Sequence, residues 1–87
     1  MTARVVVYRT DWCPFCRRAE ALLKARGVED AELVDLDEHP ERREEMIRLA
    51  GRTSVPQIFI GGRHVGGCDD LHALDRAGDL APLLAGG

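Results

Sequence analysis

Cysteine and extended apolar sequence are both scarce in this chain. Its 87 residues include three cysteines, two of which are separated by only two residues. A secreted domain of this size usually has an even set of spaced cysteines that form stabilising disulfides, and this sequence does not have such a set. The apolar run at residues 5–8 is too short for a secretion signal, and no stretch is long enough to cross a membrane. We therefore expect a cytoplasmic protein with no membrane partner.

Positive charge is not concentrated in any region. The net charge is −3, and the acidic and basic residues are interspersed. The densest group of cations, Arg42, Arg43 and Arg48, lies among glutamates, which is typical of a solvated helix face. We therefore expect no nucleic-acid partner. Because the chain also has no repeat, low-complexity run or linker, we expect a single domain over residues 1–87 that acts as a monomer.

Hydrophobic patterning predicts that strands and helices alternate. The β-branched and aromatic run at residues 5–8 predicts a buried strand, and Pro14 suits the first turn of a helix after it. The next predicted elements are a strand at 31–36, a helix that starts at Pro40, strands at 57–60 and 63–66, a helix capped by Asp69 or Asp70, and an apolar turn at 80–84. The three helices are expected to end at Gly27, Gly51 and Gly78.

These elements predict an α/β fold. A helical crossover between two buried strands makes them parallel, and the Gly61-Gly62 pair predicts a hairpin that adds two antiparallel strands. The order β-α-β-α-β-β-α therefore predicts a four-stranded mixed sheet flanked by helices, which is the layout of the thioredoxin fold. The apolar faces expected on the first two helices consist of Phe15, Ala19, Leu22 and Leu23, and of Met46, Leu49 and Ala50.

Cys13 and Cys16 form a C-x-x-C pair where the first strand gives way to a helix. Free backbone N–H groups and the helix dipole stabilise an anion at a helix N-terminus, so Cys13 is expected to react as a thiolate there. Cys16 is expected one turn deeper, where it can attack the Cys13 sulfur and release a bound substrate thiol. The pattern therefore predicts thiol–disulfide exchange with Cys13 as the nucleophile and Cys16 as the resolving thiol.

The alternative use of a C-x-x-C pair is one half of a zinc site. The other half would be His64 with Cys68, or Cys68 with His72, about fifty residues away and beyond the usual spacing of a small zinc domain. We therefore expect no metal site. Taken alone, Cys68 is most simply interpreted as a small buried hydrophobic residue. His39, His64 and His72 are scattered and are interpreted as ordinary surface or strand residues.

Three segments resemble motifs of the glutaredoxin family, particularly its bacterial dithiol type. Cys13-Pro14-Phe15-Cys16 resembles the family's C-P-Y-C, with Phe in place of Tyr. Thr53-Ser54-Val55-Pro56 resembles its T-V-P segment, with Ser54 in the Thr place. Gly66-Gly67-Cys68-Asp69-Asp70 resembles its G-G-C-x-D segment. The three segments have the order and spacing of the family, and the similarity covers nearly the whole chain.

The resemblance implies a groove that binds glutathione. A cis-proline at Pro56 would present the Val55 backbone, which can pair with the cysteine of glutathione like an added strand. The helix start at Asp69 and Asp70 would hold the γ-glutamyl carboxylate and amine, and Arg43 the glycyl carboxylate. The substrate-binding residues implied in this way are Pro14, Phe15, Arg43, Ser54, Val55, Pro56, Gly67, Cys68, Asp69 and Asp70.

The resemblance also implies the reaction. Both thiols would reduce protein disulfides, whereas Cys13 alone would reduce mixed disulfides with glutathione. Glutathione would be the reductant, and no tightly bound cofactor is expected. The family suggests protein disulfides, glutathionylated proteins and ribonucleotide reductase as substrates.

One position departs from the family pattern. Many members have a Lys three residues before the first Cys, and here that residue is Thr10. Arg9, Arg17 or Arg43 could supply a positive charge near Cys13 instead. The alternative for Arg43 is a solvated arginine of the helix face, since its neighbours are charged.

Two other functions are compatible with parts of the sequence. Trp12 is typical of a thioredoxin-like redoxin reduced by a flavoprotein, but thioredoxins have Cys-Gly-Pro-Cys and here Pro14 comes first. An iron–sulfur carrier would bind a cluster through Cys13 and glutathione, shared by two subunits. The Pro14-Phe15 pair and Cys16 resemble instead the dithiol enzymes, which are usually free of clusters.

Overall fold

The computed structural model describes residues 2–86, and the first and last residues of the predicted domain lie outside this range. Within it, the strands are β1 (Val5–Arg9), β2 (Glu32–Asp35), β3 (Gln57–Ile60) and β4 (Arg63–Gly66). The helices are α1 (Pro14–Ala25), α2 (Arg43–Ala50), α3 (Cys68–Arg76) and α4 (Leu80–Leu84), and a 3₁₀ turn at Pro40–Arg42 precedes α2. None of the helices in residues 2–86 is both long and apolar enough to cross a bilayer.

The four strands form one mixed sheet in the order β2-β1-β3-β4. β1 is parallel to β2 and antiparallel to β3, and β3 is antiparallel to β4. The predicted four-stranded mixed sheet and the thioredoxin fold are therefore confirmed.

The register of the sheet brings three chain segments together at one end of the strands. Tyr8, near the end of β1, pairs with Gln57 at the start of β3. Ile58 in turn pairs with Gly66, the last residue of β4. The loops that follow β1, precede β3 and follow β4 consequently leave the sheet side by side, although they are far apart in sequence.

Apolar side chains cover both faces of the sheet. The larger cluster lies under α1, α3 and α4, and its buried members include Val7, Leu23, Ile58, Leu71 and Leu80. The smaller cluster, formed by Tyr8, Val34, Leu36 and Met46, lies under α2.

The predicted apolar face of α2 is wrong in one position. Met46 is fully buried, but the side chain of Leu49 is 53% exposed. α2 has eight residues and buries only Met46, so its contact with the sheet is narrower than the sequence pattern indicates.

The N-cap of α3 lies two residues before Asp69 and three before Asp70, the two predicted caps. Gly67 is its N-cap residue, and Asp70 lies inside the first turn, where its carboxylate accepts a hydrogen bond from the Gly67 N–H at 2.9 Å. A carboxylate at this position caps the helix by reaching backwards, which a search for a cap residue in front of the helix does not detect.

Gly66 leaves room for this carboxylate. Its φ of +121° belongs to the region that favours glycine, and a Cβ at Gly66 would overlap the Asp70 carboxylate. Gly62 also has a positive φ, +81°, but a Cβ there would meet nothing within 4 Å. Both glycines therefore have a positive φ that favours glycine, and only at Gly66 would a side chain also collide with a neighbour.

We predict that Gly66→Ala destabilises the protein more than Gly62→Ala. Both variants should lose about 1–2 kcal/mol because of the positive φ, and Gly66→Ala should lose a further ~1–3 kcal/mol because it displaces a charged hydrogen-bond acceptor. Urea unfolding of the two variants measures the difference. Equal losses would show that Asp70 adjusts without cost.

Candidate active site

Cys13 is the N-cap residue of α1. Its Sγ accepts a hydrogen bond from the Cys16 N–H at 3.3 Å, and its own N–H donates to the Thr10 carbonyl at 3.4 Å. Pro14 occupies the first helical position, where a missing N–H removes no helical hydrogen bond. The Cys13 residue is 8% exposed. The Cys13 Sγ thus binds a helix N–H group that has no partner within the helix, at the end of α1 where the helix dipole favours negative charge.

Cys16 lies one helical turn further and is fully buried. Burial raises the pKa of its thiol to about 12, and the hydrogen bond to Cys13 acts in the same direction. At neutral pH Cys16 is therefore an uncharged thiol. This chemistry suits a group that acts second, after the neighbouring sulfur has formed a disulfide.

The segment before β3 forms the wall facing Cys13. The Val55–Pro56 peptide bond is cis, as the resemblance implied, and the Val55 carbonyl oxygen lies 3.9 Å from the Cys13 Sγ. We call residues 53–56 the cis-proline loop. Because β3 follows directly, the sheet fixes where this loop leaves the fold and holds the Val55 backbone beside the reactive sulfur.

The start of α3 forms the opposite wall. A Cβ at Gly67 would stand 3.5 Å from the Pro56 carbonyl oxygen, so α3 begins in contact with the cis-proline loop. Between these walls lies a hollow of about 200 Å³, lined by Phe15, Arg52, Ser54, Val55, Pro56, Gly67, Cys68, Asp69 and Asp70. The structure thus brings together nearly all of the predicted binding residues, from three separate parts of the chain.

Phe15 is half exposed rather than part of the core, so its assignment to the buried face of α1 is wrong. It lies in the first turn of α1, where its ring lines the hollow, and the Arg18 guanidinium carbon is 6.0 Å from the ring centroid. This position is where a predicted aromatic wall of the glutathione groove would lie.

Arg52 is a site residue that the sequence reasoning missed. Its guanidinium donates a hydrogen bond to the Asp70 carboxylate at 2.9 Å and lines the hollow. The Gly67 N–H, and then Arg52, hold the pKa of Asp70 below its usual range. The one sequence feature that could have indicated Arg52 is its position directly before the Thr53–Pro56 motif.

The cations considered as substitutes for the missing lysine lie in different places. Arg9 is committed to Glu20 at 2.7 Å and Asp35 at 3.0 Å, and its side chain is only 12% exposed. Arg9 therefore neutralises carboxylates within the fold and does not serve Cys13. Arg17 donates to the carbonyl of Asp11 at 3.1 Å.

Arg43 lies outside the hollow. It is exposed and donates to the Thr53 carbonyl at 3.3 Å, so it borders the cis-proline loop from α2.

Cys68 is buried in the main apolar cluster and also lines the hollow. Burial raises the pKa of the Cys68 thiol, so this thiol is protonated and unreactive at neutral pH. This agrees with its interpretation as a small buried hydrophobic residue. Cys13, Cys16 and Cys68 are free thiols, and among residues 2–86 no three His, Cys, Asp or Glu side chains converge as metal ligands.

Comparison with known proteins gives consistent similarities. The family model for glutaredoxin matches residues 5–65. A glutaredoxin from Pseudomonas aeruginosa is 58% identical over 81 residues, which cover 93% of this chain and 95% of that protein. Glutaredoxin 3 from Escherichia coli strain K12 is 55% identical over 82 residues, which cover 94% and 98%. A crystal structure of a buckwheat glutaredoxin–glutathione complex has a TM-score of 0.86 at 30% identity, over 94% of this chain and 76% of that one.

The charge of Asp70 should stabilise the fold in a pH-dependent way. Because the native pKa of Asp70 is lowered, its contribution is present above the unfolded pKa of about 4 and is lost as the pH falls through the native pKa. Asp70→Asn should therefore cost about 1 kcal/mol or less at pH 7, since the side chain is partly exposed. The difference from the wild type should shrink below about pH 4.

Urea unfolding over this pH range measures the effect, with Asp69→Asn as the control in the same helical turn. A loss that is equal for the two variants at every pH would contradict the capping role of Asp70.

Proposed function

The chain belongs to the glutaredoxin family of glutathione-dependent thiol–disulfide oxidoreductases, and we propose that Cys13 is its nucleophile and Cys16 its resolving thiol. The observation that carries this assignment is the hydrogen bond from the Cys16 N–H to the Cys13 Sγ at the start of α1. It supports a thiolate at Cys13, whereas the burial of Cys16 keeps the second sulfur protonated.

A mixed disulfide with glutathione requires only the first thiol. The Cys13 thiolate attacks the glutathione sulfur, the disulfide breaks, and the substrate leaves as a thiolate that takes up a proton. A second glutathione thiolate then attacks the glutathione sulfur bound to Cys13. This step releases oxidised glutathione and restores the Cys13 thiolate.

A protein disulfide requires both thiols. Cys13 attacks one substrate sulfur, and Cys16 then attacks the Cys13 sulfur as it loses its proton. The substrate leaves with both of its sulfurs reduced, and the two electrons come from the Cys13 and Cys16 thiols, which are oxidised to a disulfide. Two glutathione molecules reduce that disulfide and leave as oxidised glutathione.

We place glutathione in the hollow between the cis-proline loop and α3. The similar buckwheat structure is a complex with glutathione, which supports glutathione as the ligand, and the hollow beside Cys13 supports this location. In the proposed arrangement the Val55 backbone pairs with the cysteine of glutathione, and the start of α3 binds the γ-glutamyl group. Arg43 and Arg52 are the cations available for the glycyl carboxylate at either side of the loop.

Protein disulfides and glutathionylated proteins are the proposed substrates. We also propose that the protein acts in the cytoplasm, because its three cysteines do not form the even, spaced set of a secreted domain of this size.

The two active-site thiols should separate the two reactions. Cys13→Ser should abolish both, because no thiolate remains to attack. Cys16→Ser should keep the reduction of a glutathionylated peptide and lose the reduction of a protein disulfide. A glutathione reductase-coupled assay measures both, and equal loss of the two reactions in Cys16→Ser would contradict the assigned roles.

Arg43 should contribute to glutathione binding although it lies at the rim. Arg43→Ala should raise the KM for glutathione about threefold to tenfold, as expected for the loss of one partly exposed charged contact. Arg48→Ala is the matched control, because it removes an exposed arginine from the same helix. A KM change shared by both variants would show that Arg43 acts only through the general charge.

A further inference from the structure

We propose that Gln57 and His64 form a positioning pair that holds the cis-proline loop in the geometry that binds glutathione. Gln57 is fully buried, whereas most polar side chains of the chain are not. Its amide nitrogen donates to the Ser54 carbonyl at 3.0 Å and lies 3.4 Å from the Ser54 hydroxyl oxygen. Its amide oxygen lies 2.7 Å from the His64 Nε2.

The partners of Gln57 fix the direction of these hydrogen bonds. A backbone carbonyl only accepts, so the amide group that faces Ser54 must be the NH₂. The amide oxygen then faces His64, and the His64 Nε2 must donate. The order of donation therefore runs from the imidazole to Gln57 and from Gln57 to the Ser54 carbonyl.

The imidazole ring of His64 also packs against a side chain of the neighbouring strand. It lies on β4 opposite Phe59, and the two rings pack with centroids 5.1 Å apart. Gln57 and His64 thus connect the loop to two paired strands of the sheet. The connection passes through hydrogen bonds whose geometry is more restrictive than apolar contact.

The loop end of this connection is the Ser54 carbonyl, which belongs to the same peptide unit as the Val55 N–H. Val55 is the residue whose carbonyl oxygen faces the Cys13 Sγ at 3.9 Å and whose backbone is assigned to glutathione. A Ser54 carbonyl without its donor would leave the Val55 peptide free to rotate. The expected consequence is weaker binding of the glutathione moiety, with the reactivity of Cys13 retained.

This inference rests on the proposed function, and its test separates the two. Gln57→Met keeps the length of the side chain, but it removes the donor to the Ser54 carbonyl and the acceptor for His64. It should raise the KM for a glutathionylated peptide about tenfold, with kcat and the rate of Cys13 alkylation by iodoacetamide within about twofold of the wild type. His64→Phe keeps the ring packing and should raise the KM about threefold.

The double variant tests whether the two residues act together. Because both act on the same carbonyl, Gln57→Met with His64→Phe should have the KM of Gln57→Met alone. Ile58→Val is the control, since it trims a buried side chain of the same strand outside the network. It should leave the KM unchanged despite a loss of stability.

The outcomes are distinct. A wild-type protein that does not reduce the glutathionylated peptide would overturn the proposed function. An active wild type with a Gln57→Met KM equal to that of Ile58→Val, or with additive single effects, would overturn the positioning pair. If Gln57→Met fails to fold, His64→Phe decides alone, and an unchanged KM in that variant would overturn the inference.

Discussion

The contact between the Cys13 sulfur and the Cys16 N–H depends on the point where α1 begins. The first N–H groups of a helix have no partner within it, and here one of them is satisfied by the side chain that we propose as the nucleophile. Capping and reactivity are therefore one interaction. Every other part of the site has to be brought to this place, because a sulfur that caps a helix cannot move far from it.

The sheet brings those parts together through register rather than through local sequence. β1 leads into Cys13, β3 starts after the cis-proline loop, and β4 ends before α3. Because β3 pairs antiparallel with both neighbours, these three points lie at the same end of the strands. The binding residues can therefore be short-range neighbours in space while lying about forty to fifty residues apart in the chain.

The sequence was sufficient for the features that have a periodic or local cause. The β-branched run of β1, the glycine pair of the hairpin and the Cys13 pair each have a physical reason within a few residues. The exposure of Leu49 has no such local cause, because it depends on how narrowly α2 contacts the sheet. Arg52 and Gln57 were missed for a similar reason. Their partners, Asp70 and His64, lie on other elements, and a single sequence does not show such pairs.

The burial of Cys68 gives the molecule an internal reporter of local opening. Its thiol lies in the cluster beneath α3, and the residue is 4% exposed. Cys68 also lines the hollow, so a thiol reagent that is too bulky to enter the hollow reaches it only when α3 moves away from the sheet and the cis-proline loop. Under conditions where reclosing is fast, the rate of that modification measures the free energy of opening α3, independently of global unfolding. The same helix start forms one wall of the hollow, so the chain holds a native probe of how firmly that wall is closed.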